Sequence, residues 1–318
     1  MVLPLLVGIS AAAALRHVLG RGATAAALPH RPRAARDAPL PPCVLSSGYE
    51  RPTVHVCVRD EGVVSSAPRE TCALWWWVRR WPRGAPPSGP RRVAIVLGGN
   101  NFSVEDCGAV TAAILQGLMD CGCDVLMLDR EGVGRSAAHR PRSLEAMNEA
   151  AAAIARFLRE HYGRDADVAV WAHSMGGATG TRLAALLSAA AQPPRVLVLA
   201  STFARVSEVR IGVPPPFTAL AMGALGVPDL APEDELARVA PSTAVRLVHS
   251  VEDELIPFEH AERNLRAARA AATRECSLLP TRGSHSGNGG AGDLALILRT
   301  LPLWWPRAGG AAGGVPAA

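Results

Sequence analysis

Six short, largely apolar runs, each followed by a stretch of helical periodicity, limit what this chain can fold into more than any other feature. They are VAIVL (93–97), DVLMLD (124–129), DVAVWA (167–172), RVLVLA (195–200), AVRLVH (244–249) and ECSLLP (275–280). A sheet face open to water would select polar residues at every second position, so runs of this kind belong in a sheet covered on both faces. The stretches between them supply the covers. SVED at 103–106 reads as a capping-box-like start to a helix reaching about Cys121, with Val110, Ile114 and Leu118 on one face. Leu144, Met147, Ala151, Ile154 and Leu158 form the stripe of a second helix, and residues 175–191, 257–272 and 294–301 read as three more. Strand then helix, repeated, predicts an α/β fold with a mostly parallel central sheet, right-handed crossovers and helices on both faces. Residues 53–59 (TVHVCVR) and 71–81 (TCALWWWVRRW) read as an antiparallel pair at the start of the sheet, with the Trp75, Trp76, Trp77 cluster as packing.

Charge narrows the function classes. The 33 basic residues against 28 acidic give +5 over 318 residues, and every basic residue is Arg. Five of them (Arg16, Arg21, Arg31, Arg33, Arg36) precede Asp37, the first acid, so the remaining body is electrically balanced. A neutral body lacks the continuous positive face that phosphate neutralisation requires, which argues against nucleic-acid binding. Seven cysteines, at 43, 57, 72, 107, 121, 123 and 276, form an odd set without repeated spacing. That is a poor disulfide framework, and Cys121 and Cys123 lack a second Cys/His pair at ligand spacing, so no metal and no organic cofactor is expected.

In doubly covered parallel sheets, chemistry gathers at the carboxyl ends of the strands. DVAVWA runs into Ala172-His173-Ser174-Met175-Gly176-Gly177 and then a helix. Small residues two before and two after a serine, between strand and helix, give a sharp turn that projects the Ser174 hydroxyl from the sheet. A hydroxyl becomes a good nucleophile only when a base removes its proton. Among nine histidines, His285 alone sits in a Gly/Ser loop after the last strand, while the others fall in the N-terminal extension, in strands, on helices or too early in the order. AVRLVH opens into Glu252, Asp253 and Glu254. Asp253, four residues before a helix-starting proline, is the preferred orienting acid, with Glu252 and Glu254 as fallbacks. The tetrahedral oxyanion would be held by the N–H of Met175, after the nucleophile, and of Asn100, in the Gly98 to Phe102 loop that ends VAIVL. Gly99, Asn101 and Phe102 of that loop, with His173 of the turn, are expected to line the substrate site. A phosphate-binding loop is the competing reading, but neither a Lys-Ser/Thr ending nor Gly-x-Gly-x-x-Gly is present.

The loop at 98–101, the turn at 129–136, the Ser174 turn, the Asp253 loop and His285, in that order, resemble the α/β-hydrolase superfamily over about residues 50–303. ASTFARVSEV at 200–209 is similar to the small-lid α/β-hydrolase-domain group, whose members include membrane-associated lipid and acyl-thioester hydrolases. The resemblance implies an α/β-hydrolase fold with a short cap at about 203–243, Phe217 near the pocket mouth, and a Ser174, Asp253, His285 serine hydrolase. The implied reaction cleaves a carboxylic ester, thioester or related acyl substrate, either a small molecule or a lipid. Acyl transfer on the same triad and a catalytically silent interaction protein are the alternatives. The sequence departs from the family at Gly98, where His is frequent, at Ala172, where Gly is, and at Ser250, where a Gly precedes the acid by three.

The organisation expected is an extension and linker over 1–42, a hydrolase domain over 43–305 and a Gly/Ala tail over 306–318. Val2 to Leu15 carries no charge and is short for a membrane span, which needs about 20 apolar residues. Secretory or membrane targeting is the favoured reading of this segment. Organelle import and a plain extension of a cytoplasmic protein are the other two.

Overall fold

The computed structural model of the chain describes residues 31–32, 75–79, 91–100, 102, 109–129, 133–134, 144, 146–210, 215–225, 227–271, 273, 275–285 and 291–304. Among the described residues, seven strands form the central sheet: β1 (Trp75–Arg79), β2 (Arg92–Leu97), β3 (Asp124–Asp129), β4 (Asp167–His173), β5 (Val196–Ala200), β6 (Ala244–Ser250) and β7 (Glu275–Thr281). Their order is β1-β3-β2-β4-β5-β6-β7. The six from β2 to β7 run parallel, and β1 pairs antiparallel with β3, Trp75 opposite Asp129. The pairing expected between 53–59 and 71–81, the extension over 1–42 and the tail over 306–318 lie outside the described residues, apart from β1 and a two-residue bridge of Arg31–Pro32 to Val133–Gly134.

Helices α1 (Ala109–Asp120), α2 (Ala146–Tyr162), α3 (Gly176–Ala189), α6 (Glu259–Ala270) and α7 (Ala291–Trp304) cover the sheet. Successive side chains on a strand point to opposite faces, and both faces here are apolar. Val93, Ile95 and Leu97 of β2 share a core with Ile154 and Leu158 of α2 and Leu183 and Leu187 of α3. Ala94 and Val96, on the other face, share one with Ile114 and Leu118 of α1 and Ile297 and Leu301 of α7. The missing alternation in VAIVL is therefore the signature of two cores, one above and one below the sheet.

Between β5 and β6 the chain makes a three-residue 3-10 turn (Val206–Glu208), α4 (Pro215–Leu225) and α5 (Pro232–Leu236). Its exit from β5 is pinned by α6: Asn264 donates to the carbonyls of Thr202 and Phe203, and His260 Nδ1 accepts the Ala204 N–H at 3.0 Å. Arg205 pairs with Asp229, Glu233 and Asp234, and Arg263 with Glu233 and Glu208. These pairs are part-exposed, so the network locates the base of the insertion more than it stabilises the fold. α4 carries no charge and presents Phe217 and Leu220 to solvent.

Leu183 is fully buried on α3, the helix that follows the Ser174 turn. Leu183→Ala is expected to cost about 2–5 kcal/mol of stability through lost contacts and a residual cavity, measurable as a lowered denaturant midpoint at unchanged m-value.

Candidate active site

β3 and β4 leave β2 on opposite sides, so the carboxyl ends of β2 and β4 meet at the switch point of the sheet, where a crevice opens in folds of this type. β4 ends at His173 and α3 begins at Gly176, which leaves two residues for the reversal. Ser174 makes it with φ at +52°, in the left-handed region where a side chain is crowded. The turn is closed by the Ser174 N–H on the Ala200 carbonyl and the Gly177 N–H on the Ser174 carbonyl, both 2.9 Å. Two glycines let the helix start come this close. A Cβ on Gly176 would lie 2.6 Å from the carbonyl oxygens of Leu97 and Gly98, and one on Gly177 would lie 2.1 Å from the Thr202 side chain. The register, Leu97 opposite Ala172, brings Gly99 beside the turn. A Cβ there would stand 3.3 Å from Ser174 Cβ and 3.1 Å from His173 Nδ1.

Three strand ends converge on the Ser174 side chain. Ser174 Oγ lies 2.9 Å from His285 Nε2, and His285 Nδ1 lies 2.8 Å from Asp253 Oδ2. All three residues are buried. The other Asp253 oxygen, Oδ1, accepts the N–H groups of Leu255 at 3.0 Å and Ile256 at 2.8 Å. An ionised carboxylate only accepts, so His285 must carry its proton on Nδ1, which leaves Nε2 bare to take the Ser174 proton. The neighbouring acids hold the loop backbone: Glu254 accepts the His285 N–H at 3.0 Å and Glu252 accepts the Gly283 N–H at 2.9 Å. Ser250, at a position where Gly is usual, donates to the Gly283 carbonyl and accepts the Glu252 N–H. Three adjacent carboxylates thus divide the work, one on the imidazole and two on the 283–285 backbone.

The remaining expected site residues separate into groups. Met175 follows Ser174 as the N-cap of α3, at the end whose N–H groups have no preceding helical carbonyl, and Asn100 lies in the turn closed by the Phe102 N–H on the Gly99 carbonyl at 3.1 Å. The Phe102 ring packs over Gly98, where any Cβ would meet it at about 2.0 Å, and against the α1/α7 core. The absence of His at position 98 is thereby matched by a ring that needs its space. Asn101 lies outside the described residues. Phe217 is 64% exposed on α4. The His173 ring is 5.5 Å from that of His285, and its buried Nε2 has no hydrogen-bond partner among the described residues. Sequence reasoning passed over His249, buried at the end of β6 with Nε2 2.8 Å from the Ile256 carbonyl. Its only signal was a histidine at the end of an apolar strand, four residues before the acid. Among the described residues no group of three or more His, Cys, Asp or Glu is placed to hold a metal, and Cys121 and Cys123 are both buried.

A family model described as serine aminopeptidase S33 matches residues 91–256, just over half of the chain. Solved structures with the same fold include an esterase of Pyrococcus furiosus, Pf2001, at 14% identity and TM-score 0.60, covering 87% of this chain and 97% of that one. The butyrate-bound esterase Est2 of Thermogutta terrifontis aligns at 17% identity and TM-score 0.54, covering 80% and 91%. Est1E of Butyrivibrio proteoclasticus, with ferulic acid bound, aligns at 17% and 0.54, covering 72% and 93%. No curated protein matches the chain.

Titration around the site follows burial. Burial, then the neighbouring His285, pushes His173 down to about 4. His249 and His260 are lowered as well, each chiefly by burial. Burial works against the Asp253 charge, but hydrogen bonds from His285 and Ile256 and the nearby histidines outweigh it and hold the carboxyl below its ordinary value. A histidine lowered on folding contributes stability above its unfolded pKa and loses it as the pH falls toward the folded value. Denaturant midpoints are therefore expected to drop between pH 6.5 and about 4, the window set by His173. His173→Gln is expected to flatten part of that drop.

Proposed function

Because the chain belongs to the α/β-hydrolase family described as serine aminopeptidase S33, we propose that it is a serine hydrolase that cleaves carboxylic esters through an acyl-enzyme on Ser174. The observation that carries this reading is the unbroken line from the strained Ser174 turn through His285 to Asp253, with contacts of 2.9 and 2.8 Å. Ser174 Oγ attacks the acyl carbonyl as His285 Nε2 takes its proton, and the imidazolium that forms is stabilised by the Asp253 carboxylate. The carbonyl oxygen becomes an oxyanion, received by the N–H groups of Met175 and Asn100. The proton passes to the leaving alcohol, the C–O bond breaks, and the acyl group remains on Ser174. Water then loses its proton to His285 and attacks the acyl carbon, and the acid product departs as Ser174 regains its hydrogen. No step calls for a metal or an organic cofactor.

The substrate proposed is an acyl small molecule or lipid ester. Support comes from the uncharged, apolar α4 in the β5–β6 insertion and from structural neighbours described as esterases, one with butyrate and one with ferulic acid bound. Thioesters require the same acyl chemistry and fall within the proposal.

A serine-directed fluorophosphonate tests the reading whatever acyl group the site accepts. The wild type is expected to label at Ser174 and to hydrolyse p-nitrophenyl butyrate, and Ser174→Ala is expected to do neither while remaining folded. Asp253→Asn is expected to slow labelling by roughly a hundredfold or more, because it disturbs the tautomer and the charge that the mechanism needs. A folded, unreactive wild type would overturn the reading in favour of a non-catalytic protein on this fold.

A further inference from the structure

His249 is among the most deeply buried polar residues described, with 1% of its surface exposed. Its Nε2 lies 2.8 Å from the Ile256 carbonyl and 3.5 Å from Asp253 Oδ2. A carbonyl can only accept, so Nε2 carries the proton and donates it to Ile256, with the acid next to that contact. Ile256 closes the circuit, since its own N–H donates to Asp253 Oδ1 at 2.8 Å. The loop from 253 to 256 is therefore gripped at both ends of one residue, by β6 through His249 and by the carboxylate itself. Asp253 Oδ1 faces two backbone N–H groups, and Oδ2 faces His285 at hydrogen-bond distance with the His249 N–H just beyond it.

We propose that His249 is a positioning residue for the acid, whose Nε2–H anchors the Ile256 peptide and so fixes which Asp253 oxygen meets His285. The inference rests on the hydrolase reading above and adds to it the group that holds the acid in place. Burial lowers the His249 pKa and so favours the neutral imidazole, which offers the Ile256 carbonyl a dipole. The titratable groups acting on it are Asp253 from its own loop, His260 from α6 and His285 from the loop after β7, and the Phe258 ring stands edge-on at 6.0 Å. A histidine cation here would compete with the His285 imidazolium for the same carboxylate, whereas the neutral N–H supports the acid without drawing away its charge.

Two polar substitutions separate positioning from packing. Gln places its amide nitrogen near the histidine Nε2, whereas Asn places its own near Nδ1, too short to reach the Ile256 carbonyl. The readout is the fluorophosphonate labelling rate of the full chain as a function of pH, taken through its acid limb. His249→Gln is expected to label within about threefold of wild type with the limb unmoved. His249→Asn is expected to be about ten- to a hundredfold slower, the range for loss of a partner that orients a functional group. Its limb is expected to shift upward, because a carboxylate with fewer donors holds a neighbouring cation more firmly. A wild-type rate in His249→Asn, or equal slowing of both variants with neither limb moved, would overturn the inference while leaving the hydrolase reading in place. If His249→Asn fails to fold, a limb displaced or a rate lowered more than tenfold in His249→Gln would overturn it, and a Gln profile matching wild type would support it. An unlabelled wild type would overturn the hydrolase reading and this inference together.

Discussion

Everything at the site depends on how closely α3 can approach the end of β2. A Cβ on Gly176 would stand 2.6 Å from two carbonyl oxygens, so the helix start and the 98–100 loop meet as backbone against backbone. That contact forces the chain to reverse within two residues, and the reversal puts Ser174 at a positive φ. A non-glycine residue held there costs on the order of 1–3 kcal/mol. The cost is sustained because the turn is fixed on every side: by the Ala200 carbonyl, by the Gly177 N–H and by the packing of Gly177 on Thr202. In return the hydroxyl is held 2.9 Å from His285 Nε2, beside the end of α3 where N–H groups lie unused by the helix.

A second constraint comes from the far side of the crevice. His285 follows β7 and Asp253 follows β6, and these strands are paired in register to their last residues, Ser250 opposite Thr281. The two loops leave the sheet side by side and are tied by Ser250, Glu252 and Glu254 to the 283–285 backbone. A carboxylate directed at a main-chain N–H has little freedom to swing elsewhere. The imidazole is thus aimed by its own backbone as well as by Asp253, and a uniform row of acids resolves into three distinct tasks.

Much of this was legible in the residues. Uninterrupted apolar runs announced the doubly covered sheet, and their alternating membership of two cores explains why VAIVL shows no period of two. The small residues around Ser174 announced the turn, and chain order selected His285. Asp253 stood out among the three acids by its place before Pro257, but the tasks of Glu252 and Glu254 were not legible, because such carboxylates differ in which way the loop turns them. His249 was hidden for a related reason: a histidine ending an apolar strand looks the same whether it fills space or anchors a loop. Phe102, read as a lining residue, turns out to pack over Gly98, a pairing between residues four apart that requires the loop geometry to be seen.

The central claim is that one turn supplies both the nucleophile and half of the oxyanion site. Its most direct test is a crystal structure of the protein after reaction with a phosphonate, whose phosphorus mimics the tetrahedral carbon. The adduct is expected on Ser174 Oγ, with its phosphonyl oxygen within about 3 Å of the N–H groups of Met175 and Asn100. A phosphonyl group bonded to another residue, or bonded to Ser174 with its oxygen turned away from both N–H groups, would contradict the account.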